Sequence, residues 1–199
     1  MKTISQKKGN NQVRVALAVA LSSTLLAGTG MALPVCNDFE AQPVPGPVYA
    51  VGSVFTAPVN ATVDFLQFQE INGIWNTLGV AEFVASNWAN GSPNQELNVN
   101  DINVGYTFLN PPDEVRLHYA DIGGNINFGV NGVFLNVPNL NALHNMIVGN
   151  VRIKVVSNFF PAIPGANRGH VQIKALPGFV IEEFLIGGHD FYIDDVCHQ

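Results

Sequence analysis

The sequence has few charged residues, and its positive charges are unevenly placed. Only 12% of the 199 residues are charged, and four of the nine Lys and Arg residues lie within the first 32 residues, whereas all fifteen Asp and Glu residues follow. The chain after residue 32 therefore carries a formal net charge of −10. Because an acidic surface repels phosphate backbones and anionic lipid, this balance argues against nucleic-acid binding and electrostatic membrane binding. Divalent cations and neutral sugars remain as ligand classes.

The sequence also lacks the short motifs of common catalytic and metal sites. It contains no GxSxG, P-loop or GxGxxG pattern, and its five histidines form no HxH, HExxH or Cys/His cluster. The adjacent acids Asp113-Glu114 lie in a predicted turn, and Glu182-Glu183 point to two faces of one strand, so neither makes an acid and base pair. We predict that the protein is not an enzyme. An enzyme, specifically a hydrolase or lyase whose acids come from distant strands, is an alternative to this prediction.

No apolar run is long enough to span a bilayer, which takes about 20 residues. The first 32 residues instead hold a basic stretch through Arg14, a short apolar run from Val15 to Leu21, and a small-residue exit at Gly30-Met31-Ala32. This order is typical of a cleavable signal peptide over residues 1–32, although a membrane anchor is the alternative. We predict a secreted protein, extracellular or periplasmic, with no membrane insertion after cleavage and a single domain over residues 33–199.

Only two cysteines are present, and they lie near the two ends of the mature chain. In an exported protein, Cys36 and Cys197 predict one disulfide, which requires the terminal strands to lie side by side. Two free thiols or a metal-binding pair are the alternatives, but the chain has no CxxC motif and no paired Cys/His spacing.

Alternation of apolar and polar residues recurs through the mature chain and predicts half-buried strands, for example around Val115, Phe128 and Ile153. No stretch sustains a helical period over three turns, although a short helix is expected within Asn139 to Met146. We predict an all-β fold, an antiparallel β-sandwich. Turn dipeptides separate the alternating segments: Asn72-Gly73, Asn90-Gly91, Asn131-Gly132, Gly123-Gly124 and Gly187-Gly188.

Four carboxylates lie close to the two cysteines: Asp38, Glu40, Asp194 and Asp195. If the disulfide forms, adjacent strands bring them together with almost no Lys or Arg nearby in sequence, and unpaired they would repel one another. A calcium ion with six to eight oxygen ligands would resolve this conflict, whereas solvated charges at a strand edge are the alternative. Because alternation sends Asp194 and Asp195 to opposite faces, at most one of them should bind the ion unless a bulge intervenes.

The two ends of the mature chain resemble the ends of two known classes of protein. The opening NDFE and the closing FYIDDV resemble the ends of jelly-roll carbohydrate-binding modules of the galactose-binding-like type, which open N-x-x-F-E and close Y-x-I-D-D-V. They resemble more closely uncharacterised secreted bacterial proteins that begin C-x-D-F-E and end I-G-G-Q-E-x-x-I-D-D-V-C. The resemblance implies a jelly roll with a structural calcium ion bound by Glu40 and by Asp194 or Asp195. It covers about thirty residues; the opening is one residue shorter than N-x-x-F-E, and His189-Asp190 replace Gln-Glu.

Two tryptophans are the candidate sugar platforms, because an exposed ring stacks on the apolar face of a pyranose while nearby amides pair with hydroxyls. Trp75 lies beside the Asn72-Gly73 turn and Trp88 beside Asn90-Gly91, although either ring could instead fill the core. Tyr106, together with Phe108 and Tyr119, is assigned to the core by its phase. We therefore expect a non-catalytic module that binds a glycan or polysaccharide. The alternative is a self-associating structural protein of an extracellular matrix, surface layer or fibre.

Overall fold

The alternating segments form antiparallel β-strands. The computed structural model describes residues 34–57 and 60–199, so the predicted signal peptide lies outside the described residues. Within these ranges the strands are β1 Val35–Asn37, β2 Val48–Ala50, β3 Val54–Ala57, β4 Ala61–Gln69, β5 Trp75–Asn76, β6 Val80–Val84, β7 Glu96–Asn100, β8 Ile102–Phe108, β9 Glu114–Val130, β10 Val133–Val137, β11 Ile147–Val148, β12 Val151–Phe159, β13 Asn167–Ala175 and β14 Glu183–His198.

Two long strands, β9 and β14, hold the sandwich together. Their partner strands define a first sheet in the order β3-β4-β8-β14-β9-β10 and a second sheet in the order β2-β6-β7-β14-β9-β13-β12-β11. Each long strand therefore contributes one half to each sheet, and every pairing is antiparallel. The prediction of an all-β sandwich is confirmed.

The core lies between the inward faces of the two sheets and is rich in aromatic rings. Phe65 and Phe128 from the first sheet are fully buried, as are Phe83 and Phe191 from the second. Tyr106, predicted as a core residue, stacks on a buried phenylalanine of β14 with 4.9 Å between ring centroids. Burial of large apolar side chains on the alternate positions of each strand is the main force that holds the sheets face to face.

The two glycine pairs do not form the hairpin turns that their sequence suggested. Gly123-Gly124 lie within β9 and Gly187-Gly188 lie within β14. The register between these strands shifts between Gly188 and Asp190, so the glycines mark the irregular point where both strands pass from one sheet to the other. That prediction was wrong because a Gly-Gly pair serves a bulge as well as a turn.

Other local predictions are confirmed. Asn131 and Gly132 have φ angles of 47° and 77° and join β9 to β10, as a tight hairpin requires. The expected short helix is a one-turn 3₁₀ helix, Leu140–Leu143, and the Asn139 side chain accepts a hydrogen bond from the Ala142 amide. No helix within the described part of the chain could cross a membrane.

Candidate functional site

The disulfide brings the two ends of the described chain together. Cys36 is bonded to Cys197, as predicted, and the two residues are direct partners in the antiparallel pair of β1 and β14. The same pairing places the residues that follow β1 beside the last residues of β14. The carboxylates named from the sequence therefore lie in one region of the molecule.

A bulge near the end of β14 turns two adjacent carboxylates to the same side. The register between β14 and β9 shifts after Asp194, and Asp195 has a φ angle of 47°. A Cβ atom placed on Gly91 would lie 2.5 Å from Asp194 Oδ2 and 2.9 Å from Asp195 Oδ2. Both carboxylates therefore face Gly91, which strict alternation along the strand would not allow.

Asp194 is fully buried, which is unusual for a carboxylate that has no cationic partner among residues 34–57 and 60–199. The Ser92 hydroxyl lies 2.9 Å and 3.0 Å from its two oxygens, and the Asp195 amide donates to Oδ1 at 2.7 Å. Burial raises the pKa of Asp194 to about 7, and the charge of Asp195 adds to this effect. Burial also raises the pKa of Asp195, although His118 lowers it. The pair would gain from a cation that neutralises it.

Asp38 and Glu40 lie beside this pair but make their contacts with the loop between β6 and β7. The carbonyl oxygen of Asp38 accepts a hydrogen bond from Ser92 Oγ at 2.9 Å. Glu40 Oε1 accepts the backbone N–H of Asn94 at 2.9 Å and that of Gln95 at 3.1 Å, and the Asn94 N–H lowers its pKa. The Glu40 carboxylate thus already accepts hydrogen bonds from the loop between β6 and β7.

Two buried polar atoms near Asp194 lack hydrogen-bond partners of acceptable geometry in the described part of the chain: Asn37 Nδ2 and the Tyr106 hydroxyl. Burial raises the pKa of Tyr106, the Asn37 amide lowers it and Asp194 raises it, so the three groups are close enough to interact. The oxygen atoms available here are carboxylate, carbonyl and hydroxyl oxygens, which suit a hard cation such as calcium. The donor set therefore fits the predicted ion, with Asp194 and Asp195 as the converging carboxylates.

A second group of metal-ligating side chains was not apparent from the sequence. Among the described residues, the ligand atoms of Glu70, Asp101 and His189 all lie within 4.8 Å of one another, whereas the four terminal carboxylates do not form such a group. His189 Nδ1 lies 2.5 Å from Asp101 Oδ1, and the Asp101 amide donates to the Gly188 carbonyl at 3.0 Å. Burial raises the pKa of Asp101, and His189 lowers it. The structure accounts for this group as a hydrogen bond between His189 and Asp101 with the Glu70 carboxylate beside it.

Trp75 lies at the edge of a groove on the outer face of the first sheet. Its ring is 46% exposed and packs against Phe134 of β10, with 5.3 Å between ring centroids. One cross-strand row runs from β4 to β10 under the groove and contains two glycines, Gly105 and Gly129, over which the side chains of Leu66 and Leu185 lie. Trp75 lines one part of the groove with Leu66, Phe134 and Leu185. The same three residues also line the neighbouring part, together with Asp64, Gly105, Thr107, Gly129 and Glu183.

A cluster of buried asparagines fixes the segment that carries Trp75. Asn127 is fully buried; its Oδ1 accepts the Gln69 amide at 2.6 Å and its Nδ2 donates to the Gln69 carbonyl at 2.8 Å. Asn136 Nδ2 donates to the Glu70 carbonyl at 2.8 Å. These bonds hold the end of β4 across the first sheet, so Trp75 is positioned by polar contacts that its local sequence does not reveal.

Trp88 is placed differently, in the loop between β6 and β7. Its amide donates to Glu96 Oε1 at 2.9 Å, and its half-buried ring packs on Tyr192 of the second sheet at 4.8 Å between centroids. A buried phenylalanine, Phe160, lies at 6.2 Å on another side of the ring. The two tryptophans therefore belong to different sheets and do not form one platform.

Comparison with known proteins adds no relative to this description: no family model, no curated protein and no solved structure matches the chain.

Proposed function

We propose that the protein is a non-catalytic extracellular module that binds a glycan in the groove beside Trp75. The observation that carries this proposal is the exposed Trp75 ring, which packs against Phe134 at the edge of an open groove. An exposed aromatic face is the usual platform for a pyranose ring, and the groove supplies hydrogen-bond partners in Asp64, Thr107 and Glu183. None of the described residues that line the groove is Lys or Arg, which favours an uncharged sugar.

The test is retention of the purified mature protein on a panel of insoluble and soluble neutral polysaccharides. The Trp75→Ala variant should lose retention with an unchanged melting temperature, because the ring is half exposed and lies outside the core cluster. Trp88→Ala is the matched control: it should keep retention and lower the melting temperature, because Trp88 packs on Tyr192. Equal retention of the Trp75→Ala variant and the unmodified protein would contradict the proposal.

We also propose that a calcium ion stabilises the region around Asp194 and Asp195. Support comes from the convergence of both carboxylates on Gly91. Among the described residues, the buried Asp194 also has no cationic partner, and two polar atoms nearby have no hydrogen-bond partner of acceptable geometry. Calcium at one hundred times its dissociation constant should add about 2.7 kcal/mol of stability. A melting temperature that is identical in calcium and in chelator would rule out a structural ion.

Self-association is the second candidate function, and one observation favours it. The segment that follows β4 exposes several apolar side chains: Ile71 is 68% exposed, Ile74 64% and Leu78 87%. Exposed apolar groups so close together are a common feature of protein interfaces. If this segment mediates assembly, the mass measured by sedimentation should grow with concentration and fall when Leu78 is changed to Asn; a monomer at every concentration would exclude it.

A further inference from the structure

The positive charges of the mature sequence are confined to one face of the sandwich. Only five Lys and Arg residues follow residue 32, and all of them lie in three adjacent strands of the second sheet, β9, β13 and β12. Four of these side chains are exposed, and the fifth is half-buried with its guanidinium 4.7 Å from the Phe160 ring centroid. The five residues, called the basic face below, are Arg116, Arg152, Lys154, Arg168 and Lys174.

The register of the strands arranges these charges in rows. Arg116 and Lys154 flank Gln172 in one cross-strand row, and Arg152 lies beside Lys174 in the next. Neighbouring strands are about 4.8 Å apart and rows on one side of a strand about 7 Å apart. His118 and His170 form a further row, with 6.2 Å between ring centroids. The basic face is therefore an extended array and not an isolated pair of charges.

Acidic side chains lie along one edge of this array, where β9 meets β14. Glu114 is 3% exposed and pairs with Arg116 and with Lys174, whose side chains remain 58% and 63% exposed. Asp113 precedes β9, Asp194 of β14 is the strand partner of His118, and Asp195 borders the face beside Arg116. Ordinary protein surfaces intersperse both signs, so the confinement of all five cations after residue 32 to one face, in a segment of net charge −10, needs an explanation.

We propose that the basic face binds a linear polyanionic polysaccharide that carries sulfate or carboxylate groups. A one-sign array on a flat sheet attracts a repeating anion even when the net charge of the protein is negative, because the local field decides the contact. The Cys36–Cys197 disulfide indicates an oxidising compartment, where acidic polysaccharides are available as polyanions. This site is independent of the groove beside Trp75, which lies on the first sheet.

The test compares three polymers with one backbone: dextran, carboxymethyl dextran and dextran sulfate. Affinity is measured by calorimetry at 50 mM and 200 mM NaCl, with duplex DNA of random sequence as a fourth probe. Binding to the two charged dextrans should exceed binding to dextran and should weaken by about tenfold or more between the two salt concentrations, because counterions are released on binding.

The double variant Arg152→Gln, Lys154→Gln tests the assignment to the basic face. Neither residue takes part in an ion pair among the described residues, so the fold should be retained. The control, Asn72→Asp with Asn100→Asp, changes the net charge by the same amount at exposed sites outside β9, β12 and β13. We expect about a tenfold loss of dextran sulfate affinity in the double variant and less than a twofold change in the control.

Several outcomes would overturn the proposal. No binding to either charged dextran would exclude a polyanion site, and an equal loss in both variants would show that net charge, not the basic face, governs binding. Tighter binding to DNA than to dextran sulfate would assign the face to nucleic acid. Salt-sensitive self-association without polymer that the double variant abolishes would instead identify the occupant as the acidic surface of a second copy. Retention of Trp75→Ala on neutral glycans is measured separately. A negative result for glycan binding in the groove would therefore not affect the test of the basic face.

Discussion

Replacing Asp194 by asparagine is expected to stabilise the protein in chelator and to remove its response to calcium. Asp194 is fully buried, and burial raises its pKa from the ordinary 3.8 to about 7. A group with a raised pKa contributes stability that is fully present below its unfolded-state pKa and is lost as the pH rises through the folded value. The loss therefore falls between about pH 4 and pH 7.

The size of the effect follows from the shift in the Asp194 pKa. One pKa unit corresponds to about 1.4 kcal/mol, so ionising Asp194 in the folded state costs up to about 4 kcal/mol at pH 8. Asparagine removes this cost and keeps an oxygen that can accept the Asp195 amide. In chelator, Asp194→Asn should therefore raise the free energy of unfolding most at pH 8 and by about 2.5 kcal/mol less at pH 5.

Urea denaturation at both pH values measures this difference, and Asp113→Asn is the control, because Asp113 is exposed in the turn before β9. Calcium should then stabilise the unmodified protein at pH 8 and leave Asp194→Asn unchanged, because the ion needs the ionised carboxylate. If Asp194→Asn raised the free energy of unfolding by the same amount at pH 5 and pH 8, Asp194 would not be a buried acid with a raised pKa. A full calcium response in the variant would remove Asp194 from the ion site.

Three other substitutions test the surroundings of these sites. Changing Cys36 and Cys197 to serine opens a loop with a sequence separation of 161 and should lower the free energy of unfolding by up to about 5 kcal/mol in urea; an unchanged midpoint would refute a stabilising bond. Asn127→Leu should cost about 1–3 kcal/mol and abolish glycan retention, because the Gln69 backbone loses both partners; retention with the original affinity would show that the asparagine cluster does not position the groove. Gly91→Ala should reduce the calcium-induced rise in melting temperature, because its Cβ would collide with both carboxylates of the β14 bulge; an intact calcium response would place the ion elsewhere.

Much of the fold could be predicted because the relevant patterns are local or depend on the two ends of the chain. Alternation around Val115 and Ile153 places both in the core, and the only two cysteines have only each other as partners. The glycine pairs misled the prediction, since the same dipeptide can end a strand or bend it. Whether Gly187-Gly188 turns back or continues depends on partner strands that lie far away in sequence.

The candidate sites were harder to predict because long-range contacts assemble them. The sequence names Asp194 and Asp195, but only the irregular register with β9 directs both toward Gly91, about a hundred residues earlier. Trp75 pairs with Gln69, whose backbone is held across the sheet by the buried Asn127. An Asn-rich composition is compatible with turns and with such clusters, so composition does not distinguish them.

The distribution of charged side chains over the surface could not be predicted from composition. A net charge of −10 after residue 32 argues against anionic ligands only if the charges are mixed on the surface. Alternation already places Arg152 and Lys154 on one side of β12, but the neighbours of β12 decide whether acids or further cations lie beside them. The neighbouring strands β13 and β9 bring Lys174 and Arg116 to the same face. The acidic protein thus gathers its five cations after residue 32 on one face, and for that reason we propose as its ligands the polyanions that the net charge argues against.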